Sequence, residues 1–301
     1  MQRITIDPVK LKLLETTPPW EWPPDAGDTF KKLLRDRGAP ESDRIIAAEL
    51  SGDMVVVDNE IAGLLIGIVS NSAESDILRS RAAIALGPVL EQTDIDQFDE
   101  DLLPEEFREE PAITMENFER IKSALHDVYK DETVPKLVRR RVLEASVRAE
   151  ADWHADAIRA AFASGDEDWK LTAVFAMSYV QGDNEQILES LNSANADIHR
   201  EAVRAAGNRE LAQAWPHIEG LLKSAGTPKP LLLAAIAAAV GVNPVEAEPL
   251  LTEWCDSDDE EIAEAADEAL MEASGAAGDF ADDEEDEDED EDEIEGGGYI
   301  N

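Results

Sequence analysis

At 301 residues and 32.9 kDa, the chain has room for one elongated domain or two compact ones. Hydrophobic residues reach 43% but aromatics only 5%; the apolar content is mostly Ala, Leu, Ile and Val, which excludes wholesale disorder and suits close-packed helices better than a β-sandwich. Lys and Arg number 26 against 69 Asp and Glu, a net charge of −43 that excludes a simple phosphate-binding footprint or adsorption to anionic lipid, and the single cysteine, Cys255, excludes an internal disulfide or a Cys-rich zinc site.

The start, Met-Gln-Arg-Ile-Thr-Ile-Asp-Pro, lacks the apolar stretch of a signal peptide. The longest apolar run, Leu231 to Val242, has 12 residues where a bilayer span needs ~20, so the expected location is the cytoplasm. Residues 1–25 read as an irregular arm, because Pro18, Pro19, Pro23 and Pro24 remove donors and restrict their neighbours. Trp20 and Trp22 inside that run read as a hydrophobic cap, with a peptide-binding aromatic site as the alternative.

A pattern then recurs: apolar, basic, two variable residues, small, two variable, Ala, apolar, Gly. Its best copy is Ile198 to Gly207, and others start at Leu78 and Leu232. Aligning the second residue of each copy gives Arg44, Arg79, Arg139, Lys170, His199, Leu233 and Ala263. Three residues on stand Ala47, Ala82, Val142, Ala173, Ala202, Ile236 and Ala266; six on stand Leu50, Ala85, Ala145, Ala176, Ala205, Ala239 and Ala269. Small residues at i and i+3 on one helical face allow close helix approach. Ser164, Ser193 and Ser257, six before their anchors, read as helix starts, and Gly207 and Gly241 as helix ends. Partner helices are expected within 153–164, 185–192, 211–224 and 245–254. Pairs that cannot bury both faces alone must stack, so the prediction is an all-α superhelix, or solenoid, over residues 26–274.

The columns resemble HEAT repeats, especially the short bacterial type also found in phycobilin lyases. The resemblance implies an interaction surface lined by the second helix of each pair. It also implies an Asp before that helix, in a ladder with the basic position. Ser or Thr replaces that Asp here, and Leu233 and Ala263 replace the base, which argues against a ladder running the whole length.

The widest gap between anchors holds an acidic insertion, residues 91–113, read as a long loop folded over its own repeats or a docking segment. From residue 275 onward the chain reads as a disordered acidic tail; Asp279 to Glu295 holds 14 acids and no base. Without that tract the charge is still −29, so the body is acidic too.

No Gly-rich phosphate loop, nucleophile elbow or HExxH is present, and no two of His126, His154, His199 and His217 are spaced i,i+4. No catalytic, cofactor or metal site is therefore assigned. Asp256-x-Asp258-x-Glu260 fails as an EF-hand, with Glu261 where Gly is required. His154 reads as an exposed residue near a helix start.

The leading reading is a non-enzymatic scaffold that binds a protein partner with a basic surface on the concave face. The alternative is an enzyme accessory resembling a chromophore lyase, and the acidity also suits a high-salt cytoplasm. Candidate binding residues are Arg79, Lys136, Arg139, Arg140, Arg141, Arg148, Lys170, His199 and Arg200. The run from Lys136 to Arg148 either neutralises nearby acids or receives an acidic segment, including the chain's own tail at Arg139–Arg141. Neither nucleic acid nor membrane is expected as a partner.

Overall fold

The computed structural model describes residues 8–102 and 111–281, with side chains over 11–94 and 111–274. The chain divides between Asp183 and Asn184 into two compact units, where the sequence predicts one continuous stack. The division follows Gly182, whose φ of 121° suits a residue without Cβ.

All regular elements among the described residues are helical. Unit 1 holds α1 (Pro8–Thr16), α2 (Ala26–Arg35), α3 (Glu41–Leu50), α4 (Asn59–Val69), α5 (Asp76–Leu102), α6 (Met115–Lys130), α7 (Lys136–Ser146), α8 (His154–Ala163) and α9 (Glu167–Ala176). Helices pair as α2/α3, α4/α5, α6/α7 and α8/α9; the second helices α3, α5, α7 and α9 form one layer, and α2, α4 and α6 another. Unit 2 holds α10 (Asn184–Ser190), α11 (Ala196–Asn208), α12 (Trp215–Lys223), α13 (Lys229–Val242), α14 (Pro244–Cys255) and α15 (Glu260–Ala281), with α11, α13 and α15 as its second-helix layer.

The seven aligned copies are the seven second helices. Ala47, Ala82, Val142, Ala173, Ala202, Ile236 and Ala266 are all fully buried. In the next column Ala85, Ala145, Ala176, Ala205, Ala239 and Ala269 are buried, and Leu50 is partly so. These small side chains set the layer spacing. A Cβ on Gly207 would lie 2.6 Å from the Ala238 Cα, and one on Gly241 2.7 Å from the Gly207 carbonyl oxygen. The two glycines stand at the ends of α11 and α13, as the sequence predicts, and also serve the close approach of these helices.

The basic anchors have a structural task. Arg44 donates to the Leu34 carbonyl (3.3 Å), Arg79 to Val69 (2.9 Å) and Arg139 to Tyr129 (2.8 Å), each ten residues back. Those carbonyls lie in the last turns of α2, α4 and α6, where no helical amide follows to bond them. The arginine of the second helix thus caps the first helix of its own pair.

Helix starts lie two residues later than the serines suggest. Asp166 accepts from the Asp168 and Trp169 amides (3.0 and 3.2 Å), and Asn195 from Asp197 and Ile198 (3.0 and 3.4 Å). Ser164, Ser193 and Ser257 instead accept the amides of Asp166, Asn195 and Asp259, shaping the turn before each helix. Once the acids are placed, a partial ladder emerges. Arg44 binds Glu74 (2.6 Å), Lys136 binds Asp166 (2.9 Å) and Lys229 binds Asp259 (2.6 Å).

Three boundaries differ from expectation. The arm over 1–25 contains α1, because Leu11 and Leu14, one turn apart, bury against the body, and the buried Trp22 donates its indole N–H to the Leu14 and Thr17 carbonyls. The insertion over 91–113 begins as a continuation of α5, since no Gly or Pro interrupts residues 89–103; residues 103–110 lie outside the described residues. α15 runs to Ala281, past the expected boundary at 274, on an Ala-rich sequence without proline. The remaining tail, residues 282–301, and its contact with Arg139–Arg141 lie outside the described residues. No described helix is long and apolar enough to cross a membrane.

Candidate functional site

The basic run of α7 is absorbed by the fold. Its arginines fan around the helix, as consecutive positions must at ~100° per residue. Lys136 reaches Asp166 and Asp168 (2.9 and 2.8 Å), bonds that hold both carboxyl groups below their ordinary range and raise the lysine. The buried Arg140 binds Thr172 Oγ1 (2.9 Å) and Asp168 (3.0 Å). Thr172 in turn donates to the buried Glu144 (2.6 Å), which also pairs with Arg141. Together these residues lock α7 to α9 and satisfy charges that burial would otherwise penalise.

Aromatic rings take up three more cations. Arg139 lies over Tyr129 and Trp169, 5.4 and 5.7 Å from the ring centres, and burial raises the Tyr129 hydroxyl pKa. Arg148 lies over Tyr179 (5.1 Å) and pairs with Glu91. Lys170 lies over Phe162 (4.6 Å). Arg79 is buried on Val69. As a surface for a partner, the expected set therefore fails at Arg79 and Arg140, which are inside, and is largely spent at Lys136, Arg139, Arg141 and Arg148. The reason is the repeat itself: a base at the anchor meets the end of its own partner helix before it meets solvent.

The histidines also depart from expectation. His154 is 2% exposed, with neither ring nitrogen bonded, and burial pushes its pKa down to about 4. Trp153 covers it, stacked on His126 at 4.7 Å. In unit 2, His199 of α11 and His217 of α12 place their Nε2 atoms 2.7 Å apart. One neutral ring donates to the other, and burial, which lowers both pKa values, favours that neutral state. The partners are 18 residues apart on different helices, beyond any single-helix spacing rule. No group of three or more metal-binding side chains occurs among the described residues. The Cys255 thiol is pushed up to about 11 by burial and by Asp267 and Asp256, so it stays protonated.

What remains open is the outer face of the second-helix layer, and each unit carries a cleft there. In unit 1 the cleft holds about 500 Å³ and is lined on its helical side by Glu49, Arg81, Ile84 and Pro88. In unit 2 a cleft of about 370 Å³ between α11 and α13 is lined by Arg200, Arg204, Asn208 and Leu233. Ile84 and Pro88 hold within α5 the positions that Arg204 and Asn208 hold within α11. In unit 1, however, they come from the later of the neighbours α3 and α5, and in unit 2 from the earlier of α11 and α13, where Ala238 takes the place of Ile84; the clefts draw on the same helical face without being equivalent. Arg200 pairs with Asp197 (3.0 Å), while Arg204 is exposed and makes no ion pair among the described residues. Beyond α13 the charge reverses: α14 to Ser274 carries twelve acids and no Lys or Arg, and Lys229 pairs with Asp259 and Glu261.

No family model and no curated protein matches the chain. Several solved structures do. A crystal structure of YibA from E. coli has a TM-score of 0.43 at 17% identity, covering 89% of this chain and 93% of that one. Human deoxyhypusine hydroxylase in complex with glycerol has a TM-score of 0.39 at 13% identity, with 89% and 98% covered. A designed armadillo repeat protein has a TM-score of 0.30 at 15% identity, with 81% and 98% covered. At these values the comparisons assign no activity to this chain.

Proposed function

We propose that the chain is a HEAT-type repeat adaptor without chemistry of its own, which receives a basic protein partner on the open face of its second helices. The observation that carries this reading is that each unit opens a cleft on the same face of its second helices, lined by Ile84 and Pro88 in unit 1 and by Arg204 and Asn208 in unit 2. Repeat folds display function on such faces, with side chains rather than backbone setting the partner. The sign of the partner follows from the distribution of charge. Internal ion pairs and ring contacts occupy most of the cations expected to line a surface, whereas most carboxylates of α14 and α15 make no ion pair among the described residues. A partner approaching the body therefore meets negative potential, which speeds association at low salt.

Affinity capture with the full chain, followed by cross-linking mass spectrometry at two salt concentrations, tests the proposal. The expected result is a basic partner cross-linked to the second-helix face and released as salt screens the charges. Cross-links confined to α2, α4 and α6, or capture that strengthens with salt, would overturn it.

A further inference from the structure

The adaptor reading leaves open which part of the second-helix face grips the partner and what the partner presents. We propose that the unit 1 cleft is the docking site for a basic amphipathic helix, with apolar residues on one face and Lys or Arg beside them. This inference rests on the adaptor reading and narrows it to one cleft.

The cleft is built from two directions. α1 and the short turn at Pro19–Glu21 form one wall with Leu14, Glu15, Thr17 and Pro19; the end of α3, its following loop and α5 form the other. Trp22 lies at the base, its N–H already bound to the Leu14 and Thr17 carbonyls, so it contributes a fixed apolar surface. The two tryptophans of the proline-rich run thus separate: Trp22 is 9% exposed and Trp20 78%. Ile84 stands exposed in the cleft at 38%. Trp20 directly follows the wall residue Pro19 in the chain and is free to meet a partner, and Trp is enriched in interface hot spots.

Polar chemistry then selects the occupant. Glu15, Glu49 and Asp53 line the cleft with a single cation, Arg81, which is already paired with Glu49 (3.0 Å). Pro88, which also lines the cleft, has no N–H to give the Ile84 carbonyl one turn back in α5, so that carbonyl lacks its helical donor. The site therefore offers acceptors and an apolar floor, and asks for donors and apolar anchors. Phosphate and acidic peptides are repelled. So is the chain's own Asp279–Glu295 tract, with 14 acids, and a second copy of a chain with charge −43. An extended peptide finds no sheet edge among the described residues, whereas a helix satisfies its own backbone and needs only side-chain contacts. The cleft of unit 2 is lined by Arg200 and Arg204 and by no acid, so it is an internal control of opposite sign.

The test uses the full chain and a labelled Leu/Lys amphipathic peptide of about 14 residues, or four helical turns. A Leu/Glu version is the second probe. At physiological ionic strength the Leu/Lys peptide should bind with 1:1 stoichiometry, protect the end of α3 and α5 from hydrogen exchange, and change Trp20 emission; the Leu/Glu peptide should not bind. Ile84→Glu should weaken binding about tenfold or more, as should the double change Glu15→Lys with Asp53→Lys. Glu15 and Ile84 are exposed and Asp53 is half-buried with its carboxylate on the Val55 amide, so circular dichroism verifies the fold of each variant. Arg204→Glu should change nothing. Ile84→Glu is decisive, because it adds negative charge: unspecific attraction would strengthen with it, while docking in the cleft must weaken. Unchanged or tighter binding by Ile84→Glu, or protection confined to α14 and α15, overturns the proposal. A natural partner still captured on the second-helix face would then leave the adaptor reading standing without this site.

Discussion

Replacing Gly207 with alanine sets two opposing effects against each other. In an ordinary exposed helix the change gains up to ~1 kcal/mol, since alanine loses less backbone entropy than glycine. At Gly207 the added methyl would lie 2.6 Å from the Ala238 Cα and 2.7 Å from its Cβ. Carbon atoms rest at ~3.5–4.0 Å, so the contact is short by about 1 Å. The obstacle is backbone and a methyl group, and neither has a rotamer to turn away. The surrounding buried residues Ala202, Ala205, Ala206, Ala235 and Ala239 are equally unable to yield, so α11 and α13 must separate. Overpacking of this kind costs ~1–3 kcal/mol, and the upper part of that range applies where nothing can move locally. The net expectation is a loss of about 2 kcal/mol. Gly220, inside α12, faces open space: no neighbouring atom lies within 4 Å of the point where a methyl would stand, so Gly220→Ala in the same unit should gain ~0.5–1 kcal/mol. Urea unfolding followed by helical ellipticity measures both, with unit 2 free to melt as a separate step. Equal, stabilising effects at the two glycines would refute the close approach on which the repeat packing depends.

Three further expectations concern the clamps, the buried histidine and the helix starts. Arg79→Met leaves the Val69 carbonyl without its donor and should cost about 2 kcal/mol in thermal or urea unfolding while leaving partner capture intact; lost capture with unchanged stability would return Arg79 to the binding surface. His154 has a folded pKa of about 4 against 6.5, so the unfolded chain binds more protons between those values and stability must fall as pH drops from 6.5 towards 4, by about 3 kcal/mol in total. His154→Phe should reduce that loss relative to wild type between pH 7 and 5, above the range where the carboxylates titrate; parallel curves would place His154 in solvent. Asn195→Ala should cost about 1 kcal/mol and Ser193→Ala less, because Asn195 caps α11 and Ser193 only shapes the turn; the reverse order in urea midpoints would restore the serine as the cap.

The second-helix layer was legible because packing constrains it at every repeat. A residue facing two neighbouring helices must be small, so Ala82, Ala173 and Ala202 repeat in type and their spacing fixes the helices. Cap positions were less legible. Ser164 and Asp166 are both good acceptors near a helix start, and only backbone direction decides that Asp166 takes the helix amides while Ser164 takes the Asp166 amide. The break after Asp183 left little mark in the repeat columns, since both units use the same small residues. α1 was hidden by the prolines that follow it: they end a helix, and do not prevent one from ending there.

The site was harder to read for a related reason. Charge is visible in a sequence, but whether a charge is spent depends on what lies across the next turn. Arg139 meets the Tyr129 carbonyl ten residues back and two aromatic rings; Arg140, its neighbour, points inward to Thr172; Lys136 finds acids thirty residues ahead. The first of these distances joins the two helices of one pair and the other two are the length of a repeat, so no single-helix pattern reveals them. The same holds for the two clefts, whose residues Ile84 and Arg204 stand at one repeat position with opposite chemistry. A column that is constrained by packing repeats its residue type, and a column that faces solvent is free to differ. In this chain the constrained columns describe the fold, and the column five residues after each anchor shows where that constraint lifts: Glu49, Ile84, Arg204 and Glu268 are exposed and differ in type, so partner choice has room to be encoded there, whereas Glu144 and Ala238 of the same column are buried and belong to the packing.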